Sequence, residues 1–269
     1  MGVKRELTLQ EAQKLFKAFT IQALYPTDDG IIDTTYIASS ETSAYILKYY
    51  ERSIQKRIEE DSTRLNYFYA NNLTVSQLLA KQNGWYLYRK LEGETPHHIT
   101  TKHIVLLARF IAKLHTLTYK KSNLSSSSFL SHYSITDYLH YCKKRFFFYY
   151  KKFQFLQTYK QMEDGFIHGD IFTDNTLFNG NKIAVFDFID GGKGSFLFDC
   201  AVSIYAFSPQ SRLNYNKKLF LNVYNQHAPV KLTDKALTQE INKAKSFYAL
   251  LRIHHHQNPY KQRRNQQCI

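Results

Sequence analysis

"FIHGDIFTDNTLFNGNKIAVFDFIDGG", residues 166–192, sets Asp170, Asn175 and Asp187 around a stretch that reads as a tight β-hairpin. Residues 176–178 and 183–186 are strand formers on either side of Asn179-Gly180-Asn181. Asn-Gly and Gly-Asn are both two-residue turn signals, because Gly and Asn tolerate positive φ. With Gly180-Asn181 as the turn, position 174 comes to face 187; with Asn179-Gly180, position 172 does. Facing residues lie ~5 Å apart. Either register therefore predicts Asn175 and Asp187 within reach of one ion, with Asp170 at the entrance.

An amide oxygen and a carboxylate are hard ligands that suit Mg²⁺, which takes few protein ligands and leaves its other positions to water and phosphate oxygens. Asp170 is a further carboxylate upstream that need not be a ligand. The set suits phosphoryl transfer from a nucleotide, in which a metal neutralises phosphate charge and a loop Asp orients the attacking hydroxyl.

The rest of the chain frames this segment. Its 269 residues, 43% hydrophobic and 16% aromatic, suffice for one large domain or two small ones. No apolar run approaches the ~20 residues of a membrane span, so no membrane partner is expected. The start has no apolar signal core, and Glu6 breaks the myristoylation pattern after Gly2. Cys142, Cys200 and Cys268 are widely spaced, which fits free thiols in a reducing cytosol, and the expected location is cytoplasmic. The net charge of +14 fits a site for a polyanionic small molecule, and equally a nucleic-acid or membrane surface.

Along the chain, Thr8-Leu9-Gln10-Glu11 is a capping box that predicts a helix starting near Leu9. Residues 25–30 (YPTDDG) read as a turn, and IIDTTYIAS and SAYILKYYE as an antiparallel pair. Residues 51–70 fit a helix and 84–94 a strand running into a linker. The expected fold is α/β (α+β): a nucleotide-binding lobe over 1–91, a linker at 92–96, and a mainly helical lobe over 97–269. Within that lobe 101–118 reads as a buried helix and 135–162 as one basic, aromatic helix. Phe146, Phe147, Tyr150 and Phe153 form its core-facing stripe, with lysines opposite.

HGDIFTDN, VFDFIDGG and FLFDCA together resemble the aminoglycoside phosphotransferase-like kinases, which have a two-lobed, protein kinase-like fold. Within them the chain is most similar to the homoserine kinases of that fold. DIFTDNTLF (170–178) matches their D-L-F-x-D-N-x-L-F run, and GIIDTTY (30–36) their G-I-x-N-T-x-Y loop. YILKYYE, LEGETP, IAKLHTL and ALLRIHHH extend the likeness over most of the chain.

The resemblance implies ATP and Mg²⁺ as cofactors and a small-molecule hydroxyl as acceptor, L-homoserine first. Position by position it makes Asp170 the catalytic base, Asn175 and Asp187 the metal ligands, and Lys48 the contact to the nucleotide phosphates. His168 supports the catalytic loop and Asp199 holds it. Glu59, Glu60 and Asp61 are the acids that could pair with Lys48; spacing to Leu65 and Phe68 favours Glu60 or Asp61, and Glu60 is carried forward. Thr34 and Thr35 offer hydroxyls to phosphate oxygens, and adenine is expected against residues 88–92, Glu92 included. Asp33 stands where the homoserine kinases usually have Asn. Asp190 is placed to hold a substrate ammonium. His115, on an apolar helix, reads as a hydrogen-bonded core residue. Another acceptor (choline, a sugar or an aminoglycoside) remains open. So does a non-catalytic protein binding nucleic acid through its basic surface, although nucleic acid is not the expected partner.

Overall fold

The computed structural model describes residues 3–27 and 33–255, apart from the side chains of 122 and 255. Gly30, His256 and Cys268 lie outside the described residues. The chain forms two compact units: residues 1–93 with 184–189, and residues 94–183 with 190–269.

The first unit is built on a five-stranded antiparallel sheet. Its strands β1 (Ala23–Pro26), β2 (Thr34–Ser39), β3 (Ala44–Tyr49), β4 (Leu78–Gln82) and β5 (Trp85–Arg89) lie in the order β1-β2-β3-β5-β4. The capping box forms as expected: the Glu11 N–H donates to Thr8 Oγ1, and the Thr8 N–H donates to the Glu11 carboxylate, starting α1 (Leu9–Leu15). Side chains alternate across a sheet, so one face gathers Tyr36, Ala38, Leu47, Trp85 and Leu87 against Ala12 and Phe16 in a closed core. Thr35, Lys48 and Tyr86 are register partners in line and share the other face. Helix α2 (Gln55–Ala70) buries Ile58, Asp61, Arg64, Leu65 and Phe68 at helical spacing. Two strands differ from the sequence reading. Residues 23–26 form β1 where a turn was expected to begin at 25, and β4 joins β5 through Asn83-Gly84, both at positive φ (49° and 80°). That is the Asn-Gly hairpin signature.

The 184–189 segment belongs to this unit by its contacts. Its Val185 N–H donates to the Thr74 carbonyl at 3.1 Å, Phe188 packs on Phe68 with ring centroids 5.7 Å apart, and Arg57 donates to the Ile189 carbonyl at 2.8 Å.

The second unit is mainly helical. Helix α3 (Thr101–Thr118) is capped by Thr100 and buried along most of its length, packed on α7 (Leu213–His227). Helix α6 (Phe196–Ala206) is buried nearly all round and packs on α8 (Asp234–His255). Strand β6 (Gly165–Ile167) pairs antiparallel with β9 (Gly192–Gly194). Strands β7 (Thr176–Asn179) and β8 (Lys182–Val185) form the hairpin read from the sequence, with Gly180-Asn181 as the turn and Gly180 at φ +59°. Strand pairing stops at Val185, so the register does not run on to Asp187, which itself takes a left-handed φ of 66°.

The expected single helix over 135–162 is two, α4 (Ile135–Arg145) and α5 (Phe147–Phe153), followed by a short 3-10 turn. The break at Phe146 (φ −140°, ψ 59°) shifts the phase of every residue beyond it. Of the expected core stripe only Phe153 is buried; Phe146 and Phe147 are 41% and 55% exposed. Among the described residues no helix is long and apolar enough to cross a membrane.

Candidate active site

In the first unit the chemistry gathers at Lys48, near the end of β3. Its side chain is 17% exposed, and its Nζ lies 2.9 Å from Asp187 Oδ1 and 4.0 Å from Asp33 Oδ2. The ammonium also stands 5.0 Å from the centre of the Tyr50 ring. Burial pushes the Lys48 pKa down, but the Asp187 and Asp33 carboxylates outweigh it and hold it above the usual lysine value.

The acids of α2 do not take the place expected of Glu60. Lys48 pairs with Asp187 and Asp33; Glu59 accepts from Gln55 and pairs with Lys81 at 3.5 Å, and Asp61 pairs with Arg64 at 2.9 Å, both buried. Asp33, which is 6% exposed, accepts from the Glu51 N–H at 3.2 Å and the Arg52 guanidinium at 3.3 Å.

Thr34 and Thr35 separate because adjacent strand residues face opposite ways. The Thr34 hydroxyl is fully buried; it donates to Glu51 Oε1 at 2.8 Å and accepts from the Lys4 and Arg5 N–H groups. It ties the N-terminal segment to the sheet, whereas Thr35 shares the face of Lys48. Beneath Lys48, Tyr50 and Tyr88 share a hydrogen bond of 2.9 Å. Burial raises both phenols above the ordinary tyrosine range and keeps them neutral. Glu92 is exposed, and among the described residues no backbone–backbone hydrogen bond engages residues 91 and 92.

In the second unit the loop 168–175 is fixed from below by Asp199, at the first turn of α6. Asp199 is fully buried and accepts from the His168 N–H (3.2 Å), the Gly169 N–H (2.7 Å) and His115 Nε2 (3.1 Å). Burial pushes its carboxyl up, but the hydrogen bonds from His115 and the Gly169 amide outweigh that and hold it below the usual carboxylate range. Burial in turn lowers the His115 pKa and keeps the ring neutral. With Asp199 ionised, Nε2 carries the proton and Nδ1 accepts from Tyr224 at 2.8 Å. His115 is thus the hydrogen-bonded core residue the sequence suggests, stacked on Phe196 with centroids 3.9 Å apart.

Above this anchor, Gly169 takes φ +74°, and a Cβ there would stand 2.1 Å from the Phe129 ring, so the turn requires glycine. The Tyr248 hydroxyl donates to its carbonyl. His168 supports the loop through its ring, with Nδ1 accepting the Asp170 N–H at 3.2 Å. Asn175 Nδ2 donates to the Asp170 carbonyl at 2.8 Å and to Asp170 Oδ2 at 3.0 Å. That leaves its oxygen as the atom Asn175 can offer a cation. Asp190 is half-buried, and its carbonyl lies 3.1 Å from His132 Nδ1.

Each residue by itself suits a hard divalent ion: in the second unit the Asn175 amide oxygen, whose NH₂ is already committed, and in the first unit the half-exposed Asp187 carboxylate. Among the described residues no group of three or more His, Cys, Asp or Glu could hold a metal. Sequence reading missed Arg52, Tyr50, Tyr224 and Tyr248, and gave Asp33 no partner. Only Asp33 carried a signal, as a carboxylate where the resembling family has an amide.

Comparison with known proteins identifies the family. Residues 25–229 match the phosphotransferase enzyme family APH. A homoserine kinase of Polaromonas naphthalenivorans (strain CJ2) is 22% identical over 275 residues, covering 92% of this chain and 87% of that protein. Amicoumacin kinase hAmiN, solved in complex with AMP-PNP, Ca²⁺ and Ami, superposes with a TM-score of 0.71 at 17% identity, covering 94% of this chain and 86% of that one. A microcompartment-associated aminopropanol kinase gives a TM-score of 0.60 at 16% identity, covering 91% and 97%. The two-lobed, kinase-like α+β expectation stands, and this chain belongs to the APH phosphotransferase family, as a small-molecule kinase with a hydroxyl acceptor.

Proposed function

We propose that the enzyme transfers the γ-phosphoryl group of Mg·ATP to the hydroxyl of L-homoserine. The observation that carries the phosphotransfer reading is the pairing of Asn175 Nδ2 with Asp170 Oδ2 over a loop pinned by Asp199. It gives Asp170 a fixed carboxylate to receive a hydroxyl and turns the Asn175 oxygen toward other duties. Homoserine is favoured by the relative named above and by the match of residues 170–178 to the homoserine kinase run.

In this reading Asp170 accepts a hydrogen bond from the acceptor hydroxyl. The alcohol oxygen forms a bond to the γ-phosphorus, the bond from that phosphorus to the β–γ bridging oxygen breaks, ADP leaves, and the alcohol proton passes to Asp170. A free Asp has a pKa near ~3.9, a weak base for an alcohol, so its main work is orientation, with the proton taken late. Lys48 and Thr35 face the nucleotide phosphates. The backbone at residues 91 and 92, which among the described residues makes no backbone–backbone hydrogen bond, receives adenine. Asn175 and Asp187 would hold Mg²⁺, which neutralises phosphate charge when bound. Asp190 supplies a carboxylate for the acceptor's ammonium.

A coupled ADP-release assay with Mg·ATP against a panel of small alcohols tests this. L-homoserine should give the highest kcat/KM. A tenfold or greater preference for choline, a sugar or an aminoglycoside would replace homoserine with that acceptor, and no ADP release with any would remove the proposal.

A further inference from the structure

We propose that Asp33 is the positioning carboxylate of Lys48, in the role the sequence alone gives to an acid on α2. The inference rests on the reading of Lys48 as the phosphate contact.

Asp33 immediately precedes β2, and Lys48 lies on β3, opposite Thr35. Glu51 and Arg52 follow β3, so the same β2–β3 hairpin supplies the carboxylate, the lysine and both groups that fix the carboxylate. The Glu51 N–H holds Oδ1 at 3.2 Å, and Arg52 holds Oδ2 at 3.3 Å, the same oxygen that lies 4.0 Å from Lys48 Nζ. A carboxylate that is 6% exposed is stable only when paired and hydrogen-bonded. Here its partners are two cations and a backbone amide. The α2 acids nearest in sequence make other pairs, Glu59 with Lys81 and Asp61 with Arg64.

The other carboxylate at Lys48, Asp187, is 42% exposed and is the one the reading above assigns to a metal. Asp33 has no such second duty and is the more enclosed of the two. It therefore fixes the direction of the Lys48 side chain independently of Asp187.

The test is a double-mutant cycle read by ATP calorimetry without acceptor and by steady-state kinetics. Lys48→Ala should weaken ATP binding, and Asp33→Asn should weaken it about tenfold, equivalent to ~1.4 kcal/mol, raising KM for ATP more than it lowers kcat. The double variant should bind no worse than Lys48→Ala alone. Asp33→Glu, which keeps the charge, should hold ATP affinity within a few-fold. Full additivity of the two losses, or unchanged ATP binding in Asp33→Asn, overturns the positioning role while leaving the Lys48 reading intact. Unchanged binding in Lys48→Ala overturns both. Should Asp33→Asn fail to fold, shown by loss of the Trp85 fluorescence signal, Asp33→Glu decides: a folded Glu variant with a tenfold or larger loss in ATP affinity refutes the role.

Discussion

Asp199→Asn is a near-isosteric change whose cost can be worked from the geometry. The carboxylate accepts three hydrogen bonds, from Gly169 N–H on Oδ1 and from His168 N–H and His115 Nε2 on Oδ2. An amide has one accepting oxygen. The best arrangement keeps that oxygen on the 2.7 Å Gly169 bond and turns the NH₂ toward His115, which must then shift its proton to Nδ1. The His168 N–H, at 3.2 Å, is left facing another donor. One buried unsatisfied donor costs about 2 kcal/mol, and losing charge assistance in the other two bonds about 1 kcal/mol each, some 4 kcal/mol together. Against a total of ~5–15 kcal/mol that is severe. With a urea slope of about 2 kcal/mol/M the midpoint should fall by about 2 M. The assay is urea unfolding followed by circular dichroism at 222 nm, which reports the helices, most of them in the second unit. Trp85 fluorescence, which reports the first unit, is read in parallel. A midpoint shift under ~0.3 M, by the same slope argument, would show that Asp199 does not anchor the loop.

Four further outcomes follow from the site. Asp170→Ala should lower kcat about 10²–10⁴-fold with little change in melting temperature; unchanged turnover would remove its role as base. Asp187→Gly should lose activity at ordinary Mg²⁺ yet be no less stable than wild type. It relieves a left-handed backbone worth about 1 kcal/mol to a non-glycine residue and gives up a half-exposed ion pair worth ~0–1 kcal/mol; a clear fall in the Trp85 melt would contradict this. His115 has a folded pKa below its unfolded value near 6.5. Its contribution to stability is therefore complete above about pH 6.5 and is lost as pH falls below it. His115→Gln should flatten the stability curve below about pH 6.5, where His103 and His254, also lowered, leave a smaller residual slope. Phe148→Ser, at a residue 66% exposed, should change stability by no more than ~0.5 kcal/mol, whereas a loss of several would return the aromatic run to the core.

Much of the second unit's site was legible because its chemistry is local in sequence. The loop 168–175 and the hairpin turn at Gly180 each declare themselves within a few residues, as does the capping box at Thr8 in the first unit. The partner of Lys48 was not legible, since it depends on which side chains a sheet register brings together. Thr34 and Thr35 look equivalent in sequence, and only strand alternation sends one to the N-terminal segment and the other to the face of Lys48. Strand β4 was missed although Asn83-Gly84 announces its hairpin, because Lys81 and Gln82 dilute the apolar pattern before it. The aromatic run was misassigned for a different reason. A helical period carried across Phe146 assumes an unbroken helix, and no proline or glycine marks the break.

The central claim is that Asp170 directs phosphoryl transfer to a small alcohol, with homoserine as that alcohol. Its most direct measurement is transfer of labelled γ-phosphate from Mg·ATP to L-homoserine, followed by phosphorus NMR of the product, in wild type and in Asp170→Ala. The expected result is a phosphomonoester on the homoserine hydroxyl in wild type and almost none in the variant. Label remaining in ATP or released only as inorganic phosphate in wild type, or equal transfer by Asp170→Ala, would contradict it.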